Sequence, residues 1–329
     1  MHYFSRFMHA SLCLLTAVTV LLAPVAVPAF PQPSLAISSG NTTGANYAVS
    51  SAIAKIFNRK AADYGVRLAT VASQGSLANI DNVFEGKIAF GIAQSEILLH
   101  AVTGVGPWQG NAREGLRAVL GLHLETVTIV AAADRNIRQF SDLKGTRVNI
   151  EAPGSSDNEY GALLFELSGI NPKDVILSEH PVALASEFLQ NDQIDAYLYT
   201  VGHPNLSVLE ASSGTRKVLL VPLDTAFIAR VTAEYPLLIA TVVPTSYYPA
   251  LECQDEVATI GVRAVLFTRA DLAEEAVYRV VREVMTNFDL FRRQHPVLQG
   301  LTPREAAGVT AIPLHPGAAR YFREAGLSP

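Results

Sequence analysis

The stretch LAISSGNTTGANYAVSSAIAKIF, residues 35–57, decides the fold class. A short apolar run ends in a turn rich in glycine and threonine, and the residues after this turn follow a helical spacing. That spacing places Val49, Ile53 and Phe57 on one apolar helical face, together with Ala52 and Ile56. A strand that passes through a glycine turn into an amphipathic helix, when repeated, predicts a parallel sheet flanked by helices.

The same strand, turn and helix pattern recurs along the chain, after VRLATVA (66–72), KIAFGIA (87–93), TRVNIEA (146–152) and QIDAYLYT (193–200). Two long β-rich runs break the alternation: HLETVTIVAAA (123–133) and EVATIGVRAVLFTRA (256–270). We interpret these runs as crossings between two lobes. The prediction is an α/β protein in which each lobe is a mostly parallel sheet flanked by helices, joined by hinge strands. Lobe I takes residues 30–125 plus 258–329, and lobe II takes residues 126–257.

The N-terminus predicts export. A weakly basic start precedes the apolar run LCLLTAVTVLL (12–22), and Val27-Pro28-Ala29 supplies small residues suited to signal cleavage. Residues 1–29 are therefore assigned to a cleaved signal peptide, and the mature chain to the periplasm. A second cleavage site after Ala36 and an uncleaved anchor are the alternatives. After cleavage Cys253 is the sole cysteine, with acidic neighbours that would raise the pKa of its thiol and disfavour a catalytic role.

Composition and missing motifs argue against several functions. A formal net charge of −5 disfavours a nucleic-acid partner. The chain contains no GxSxG, GxxxxGK[ST] or GxGxxG motif, and no histidines spaced as metal ligands, so we expect no cofactor and no metal. Glu151, Asp157 and Glu159 could form an acid/base pair, but solvated turn acids are the simpler interpretation. An exported α/β enzyme and a sensory module stay open as alternatives.

Polar turns follow each predicted strand, at the edge of the sheet where ligands bind in open α/β folds. Their hydroxyls, amides and glycines can cap helices, and with the first backbone N–H groups of each helix they can also hold an anion. Tyr199, which alternates with Tyr197, could face a cleft or pack against the sheet. The turns contain Asn41–Gly44, Ser73–Ser76, Gln94–Glu96, Pro153–Ser156, Thr200, Gly202 and His203.

These segments resemble one known family. The runs at 38–57, 71–96, 140–159 and 194–205, with the tail PLHPGAARYFREAGLSP, are similar to the TAXI family, which comprises extracytoplasmic solute receptors of TRAP transporters. The resemblance extends over residues 38–328. It implies a periplasmic-binding-protein fold of type II-like design, a monomer that closes on its ligand, and delivery to a TRAP-type permease. The implied ligand is a small anionic solute: a glutamate-like amino acid, a dicarboxylate or an oxo acid.

The resemblance also implies ligand-binding positions, to which we add Tyr199 from its own pattern. The sequence departs from the family at Glu96, where aspartate is usual, at Gln74, and in the segment Leu251–Cys253. These departures bear on the ligand more than on the fold. A receptor of an ABC importer, which shares the fold, is the main alternative. The predicted ligand-binding residues are Thr43, Gly44, Tyr47, Ser76, Asn79, Gln94, Ser95, Gly154, Ser155, Ser156 and Tyr199.

Overall fold

The computed structural model describes residues 34–42, 44–153, 155–251, 256–309 and 311–327. The predicted signal peptide, both cysteines, Thr43 and Gly154 lie outside the described residues, as does most of the 251–253 segment. Among the helices that are described, none is both long enough and apolar enough to cross a membrane.

Ten strands form one continuous ladder in the described part of the chain. They are β1 (Ser34–Ser38), β2 (Arg67–Val71), β3 (Phe90–Gln94), β4 (Leu116–Ala132), β5 (Arg147–Asn149), β6 (Ile176–Ser178), β7 (Ala196–Val201), β8 (Val218–Leu220), β9 (Leu238–Pro244) and β10 (Glu256–Arg269).

Helices connect most of these strands, and several begin directly after a strand and its polar turn. They are α1 (Ala45–Phe57), α2 (Ala61–Tyr64), α3 (Ser76–Phe84), α4 (Ser95–Thr103), α5 (Ser156–Ser168), α6 (Ala185–Gln190), α7 (Leu206–Ser213), α8 (Thr225–Glu234), α9 (Glu274–Thr286), α10 (Phe288–Arg292), α11 (Pro303–Ala307) and α12 (Pro316–Glu324).

The long strands β4 and β10 lie at the centre of the ladder, in the order β2-β1-β3-β10-β4-β7-β5-β6. Both runs were expected to be β-rich crossings and both form strands; β10 matches the predicted residues closely, whereas β4 begins at Leu116, well before the predicted start at His123. They pair antiparallel with each other from Thr126 opposite Gly261 to Leu116 opposite Arg269. Because β4 and β10 each continue past this shared stretch, each also belongs to a second group of strands.

The ladder has parallel ends and an antiparallel centre, which gives the α/β two-lobe fold. In lobe I, β1 pairs parallel with β2 and β3, and β3 pairs with the second half of β10. In lobe II, β5 pairs parallel with β6 and β7, while the second half of β4 pairs antiparallel with β7 and β8. The first half of β10 pairs with β9. The expected two separate parallel sheets are thus one mixed ladder, because β4 and β10 run through both lobes.

Apolar helix faces cover the lobe I part of the ladder. The predicted face of α1 is buried, with Val49, Ile53 and Phe57 fully inaccessible to solvent. A second apolar face over 277–291 is also buried and belongs to two helices, since α9 ends at Thr286 and α10 begins at Phe288. The first of them begins at Glu274, and Asp271 before it accepts a hydrogen bond from Arg269 Nε at 2.8 Å.

Trp108 anchors a loop of lobe I. The residue lies in a short 3-10 turn, Gly106–Trp108, and its side chain is buried among apolar residues of this lobe. Its indole N–H donates to the carboxylate of Asp81 on α3 at 3.2 Å. The same carboxylate accepts from Arg113 at 2.9 Å, so one acid holds the turn on both sides.

We predict that Gly91→Ala destabilises the protein. Gly91 lies on β3 opposite Phe267 of β10, and a Cβ at Gly91 would come within 2.6 Å of the buried Phe267 ring. Overpacking of this kind costs about 1–3 kcal/mol, because a filled core must shift to admit the methyl group. Chemical denaturation measures the loss. Gly115→Ala is the control, since its Cβ would meet nothing within 4 Å; equal losses in both variants would contradict the packing argument.

Candidate functional site

A cavity of about 330 Å³ lies between the two lobes, beside the turns that follow β1, β2, β3, β5 and β7. Its wall combines glycines and small polar residues with a few carboxylates and one tyrosine ring. The lining residues are Gly40, Asn41, Gly44, Ala45, Asn46, Ser73, Gln74, Gly75, Ser76, Gln94, Glu125, Glu151, Ala152, Pro153, Ser155, Ser156, Asp157, Pro181, Val182, Tyr199, Thr200 and Val201.

Two helices of lobe I begin at this cavity without a side-chain cap. The N-cap residues are Gly44 for α1 and Gly75 for α3, and neither has a side chain to accept from the first turn. Gly75 has a φ of 106°, which a residue with a side chain rarely adopts, so glycine suits the turn. The first N–H groups of both helices therefore remain available as donors to a ligand with an acceptor group.

The helix of lobe II at the cavity is capped by its own serine. The Ser155 hydroxyl accepts from Asn158 N at 3.1 Å and donates to the Ala152 carbonyl at 2.9 Å. Ser76, in contrast, does not cap α3; its hydroxyl accepts from Gln94 N at 3.3 Å. The two serines that the sequence treats as equivalent thus have different partners, because the cap of α3 is the preceding glycine.

Glu125 places a buried carboxyl group at the centre of the lobe I wall. It lies on β4 and is 2% exposed, and an amide donates to each of its oxygens. Asn46 Nδ2 donates to Oε1 at 2.8 Å, and Gln94 Nε2 donates to Oε2 at 2.6 Å. His123, which is not part of the cavity wall, has Nε2 at 3.3 Å from Oε1. Charge-assisted hydrogen bonds of this kind hold an ionised carboxylate in a buried place.

Asp157 and Glu151 form the acidic part of the lobe II wall. Asp157 Oδ1 accepts from Thr200 N at 2.6 Å. Burial raises the pKa of Asp157 well above 3.8, and the carboxylates of Glu151 and Glu125 raise it further. Burial also raises the pKa of Glu151, whose carboxylate accepts from Val182 N. Both residues are half-buried, and each carboxylate also accepts a backbone hydrogen bond at the cleft, which the interpretation as solvated turn acids did not include.

Tyr199 brings a phenol ring into the same acidic surroundings. Burial raises the pKa of Tyr199 well above 10.0, and the carboxylate of Asp157 adds to the effect, so the phenol stays protonated. A Cβ on Gly44 would lie 3.9 Å from its hydroxyl oxygen, which brings β7 of lobe II close to the first turn of lobe I. Tyr197, two residues earlier, is fully buried in the core of lobe II. Of the two alternatives for this pair, Tyr199 therefore faces the cleft and Tyr197 packs against the sheet.

No lysine, arginine or histidine is among the residues that line the described cavity. Three carboxylates are: Glu125, Glu151 and Asp157. Burial raises the pKa of two of them, Glu151 and Asp157. An unpaired anionic ligand would be repelled by such a wall, and a positively charged group would be attracted.

The cavity brings together six of the residues predicted from the sequence: Gly44, Ser76, Gln94, Ser155, Ser156 and Tyr199. Tyr47, Asn79 and Ser95 lie outside its lining. The Asn79 amide donates to the carbonyls of Ser39 and Ile92 at 2.9 and 2.7 Å. Its oxygen accepts from Ser38 Oγ, so all its polar atoms serve to join β1, α3 and β3.

His203, in the turn after β7, is likewise occupied by the protein. Its Nε2 lies 2.9 Å from the hydroxyls of Thr126 and Thr128, and its Nδ1 contacts the hydroxyl of Tyr248. Burial lowers the pKa of His203 to about 3, so the imidazole is neutral and positions the turn.

Sequence reasoning missed Asn46 and Glu125. The signal for Glu125 was present: it is an isolated acid within the apolar run HLETVTIVAAA, where burial of a charge requires a reason. Asn46 lies one residue into α1 and shows no comparable signal, because its role depends on the approach of β4.

We expect Ser155→Ala to lower the stability of the unliganded protein by about 0.5–2 kcal/mol, the usual effect of losing an N-cap. Ser76→Ala is the matched variant, and its loss should be smaller because Ser76 caps no helix. Denaturant unfolding of both apo variants measures the difference. If Ser76→Ala is the more destabilised of the two, the assignment of the cap is wrong.

Asp157→Asn should reduce the pH dependence of stability. The raised pKa means that the native state binds more protons than the unfolded state above pH 3.8, so the free energy of unfolding falls as pH rises through this window. Asparagine keeps the acceptor for Thr200 N but carries no charge, so the variant should be more stable than the parent at neutral pH. Urea unfolding from pH 4 to 8 measures this, with exposed Asp289→Asn as the control. An unchanged slope for Asp157→Asn would refute the assignment.

Comparison with known proteins agrees with this architecture. The structure of MatC from Rhodopseudomonas palustris with bound malate is similar, with a TM-score of 0.55 and 14% identity over 90% of this chain and 98% of that chain. The periplasmic binding protein BugD is also similar, with a TM-score of 0.53 and 12% identity over 91% of this chain and 99% of that one. At this identity the likeness shows the fold, which is that of periplasmic binding proteins. A family model matches residues 37–326, nearly the whole of the described chain, and the protein therefore belongs to the NMT1-like family.

Proposed function

We propose that this protein is an exported receptor that encloses a small polar solute between its lobes and delivers it to a membrane importer. The observation that carries the proposal is the cavity between the lobes, whose wall takes residues from both. Among the described strands, β4 and β10 are the ones that continue from one lobe to the other in the central ladder, so the lobes can change their angle by bending at these strands. A cavity so placed opens and closes with that motion.

An enzyme would need a nucleophile beside a base at this place. The hydroxyls of Ser76 and Ser155 have backbone partners, and the cavity wall contributes no histidine among the described residues. Within the same residues no group of three histidine, cysteine or acidic side chains could hold a metal ion. A binding function needs neither arrangement.

The uncapped starts of α1 and α3 support a ligand with at least one acceptor group, such as the carboxylate expected from the sequence. The malate in the MatC structure is a carboxylate in a protein of this fold. Gly44, Ser76, Gln94, Ser155, Ser156 and Tyr199 are the residues of the original set that we propose as contacts.

Two classes of importer can take solute from such a receptor. A TRAP-type permease depends on an ion gradient, and an ABC importer depends on ATP. Uptake by cells that carry the receptor and its permease separates them, since an ionophore stops the first and leaves ATP-driven uptake intact. Periplasmic localisation through the signal peptide at 1–29 is part of the proposal.

We also propose the lobe boundaries at residues 30–125 plus 258–329 and 126–257. The strand pairing supports them, because β4 passes from β10 to β7 at Thr126. The second boundary lies within the part of β10 that pairs with β9, at residues 256–262.

A bound solute should close the lobes and stabilise the protein. At a hundredfold excess over Kd the gain is about 2.7 kcal/mol. We expect a thermal-shift screen of amino acids, organic acids and amines on the mature chain to yield at least one hit. With that hit, X-ray scattering should show a smaller radius of gyration. An unchanged radius at saturation would exclude closure, and a screen with no hit would count against the receptor function.

A further inference from the structure

We propose that the cavity contains a subsite for a protonated nitrogen, in which Glu125 is the counter-ion, so that the ligand carries an ammonium or guanidinium group. This inference rests on the proposed receptor function and names the ligand class. It narrows the classes expected from the sequence, because it excludes dicarboxylates and oxo acids without nitrogen.

The first observation is the way Glu125 is held. Asn46 and Gln94 donate to its two oxygens from helix α1 and from the end of β3, so the carboxylate is fixed between two neutral amides. Amides hold an anion in place but do not cancel its charge. A buried anion with neutral partners attracts a cation, and the cavity beside it has room for one.

The second observation is independent of charge. The amide oxygens Asn46 Oδ1 and Gln94 Oε1 are buried and accept no hydrogen bond. Gln94 is 3% exposed and is one of the residues that line the cavity. The nitrogens of both amides are committed to Glu125, which fixes which end of each amide is the acceptor. A buried acceptor without a donor is unfavourable, and a ligand N–H group supplies that donor.

The three side chains together match an ammonium or a guanidinium. Such a group has several N–H donors and a positive charge and has no acceptor, whereas the site offers one carboxylate and two amide oxygens. A ligand carboxylate would be repelled here and would instead bind at the uncapped starts of α1 and α3. The wall contributes no basic side chain among the described residues, so the protein itself leaves the positive charge to the ligand.

His123 is the one basic group close to Glu125, with Nε2 at 3.3 Å from Oε1. It is 1% exposed and lies on β4 away from the cavity wall.

The test is calorimetric titration of matched probes into the mature protein: L-glutamate against glutarate, 4-aminobutyrate against butyrate, and putrescine as a cation without a carboxylate. We expect binding only among the amines. Glu125→Gln should weaken the amine that binds best by about ten- to hundredfold, the usual effect of losing one charge-assisted hydrogen bond. Exposed Glu234→Gln removes the same charge far from the cavity and should leave this affinity unchanged.

Glutamine fits at position 125 if one neighbouring amide turns over, and circular dichroism with apo melting curves checks the fold. Should that variant not fold, Asn46→Ala removes one free amide oxygen from a half-buried position and should weaken the same amine. Glutarate or butyrate binding as tightly as its amine partner would overturn the inference while leaving the receptor function standing. Unchanged amine affinity in Glu125→Gln, or in Asn46→Ala if the first does not fold, would also overturn it. If neither amines nor acids bind, the inference and the receptor function fail together.

Discussion

The antiparallel pairing of β4 with β10 is the constraint on which the rest of the structure depends. The two strands have 17 and 14 residues, longer than their shared stretch, and their overhangs pair with β7, β8 and β9, whereas β3 pairs with the part of β10 that also faces β4. Every other strand of the described chain attaches to this pair directly or through one or two neighbours. The two lobes therefore share the β4–β10 pair, and the turns at the strand ends meet across one cleft.

Glu125 lies where β4 stops pairing with β10 and begins to pair with β7. It pairs with Val262 across the ladder, and the next residue, Thr126, pairs with both Gly261 and Val201. In the proposed receptor, the carboxylate that recognises the ligand is thus located on the strand that bends when the lobes move. Attraction between this carboxylate and a ligand acts directly on the hinge, with no intermediate segment to transmit it.

The sequence predicted the fold well because repeated local signals agree with one another. Each polar turn after an apolar run limited where α1, α3, α4 and α5 could begin, and the β-rich runs at 123–133 and 256–270 identified the central strands. It failed where the outcome depends on contacts between distant segments. Asn79 resembles a ligand contact in its motif, yet three segments of lobe I use all of its polar atoms. From the sequence, Asp157 resembles a solvated turn acid, because its hydrogen bond from Thr200 N depends on a strand that lies far away along the chain.

The location of the single tryptophan determines what optical spectroscopy can observe in this protein. Trp108 is 3% exposed, is held by Asp81, and is absent from the cavity wall. Its fluorescence should be emitted at short wavelength, resist aqueous quenchers and respond little when the cleft is filled. The emission is then a reporter of the integrity of lobe I alone. A second indole introduced near Tyr199 would add a signal from the cleft, and the two fluorophores would follow the unfolding of one lobe and the occupancy of the cleft in the same sample.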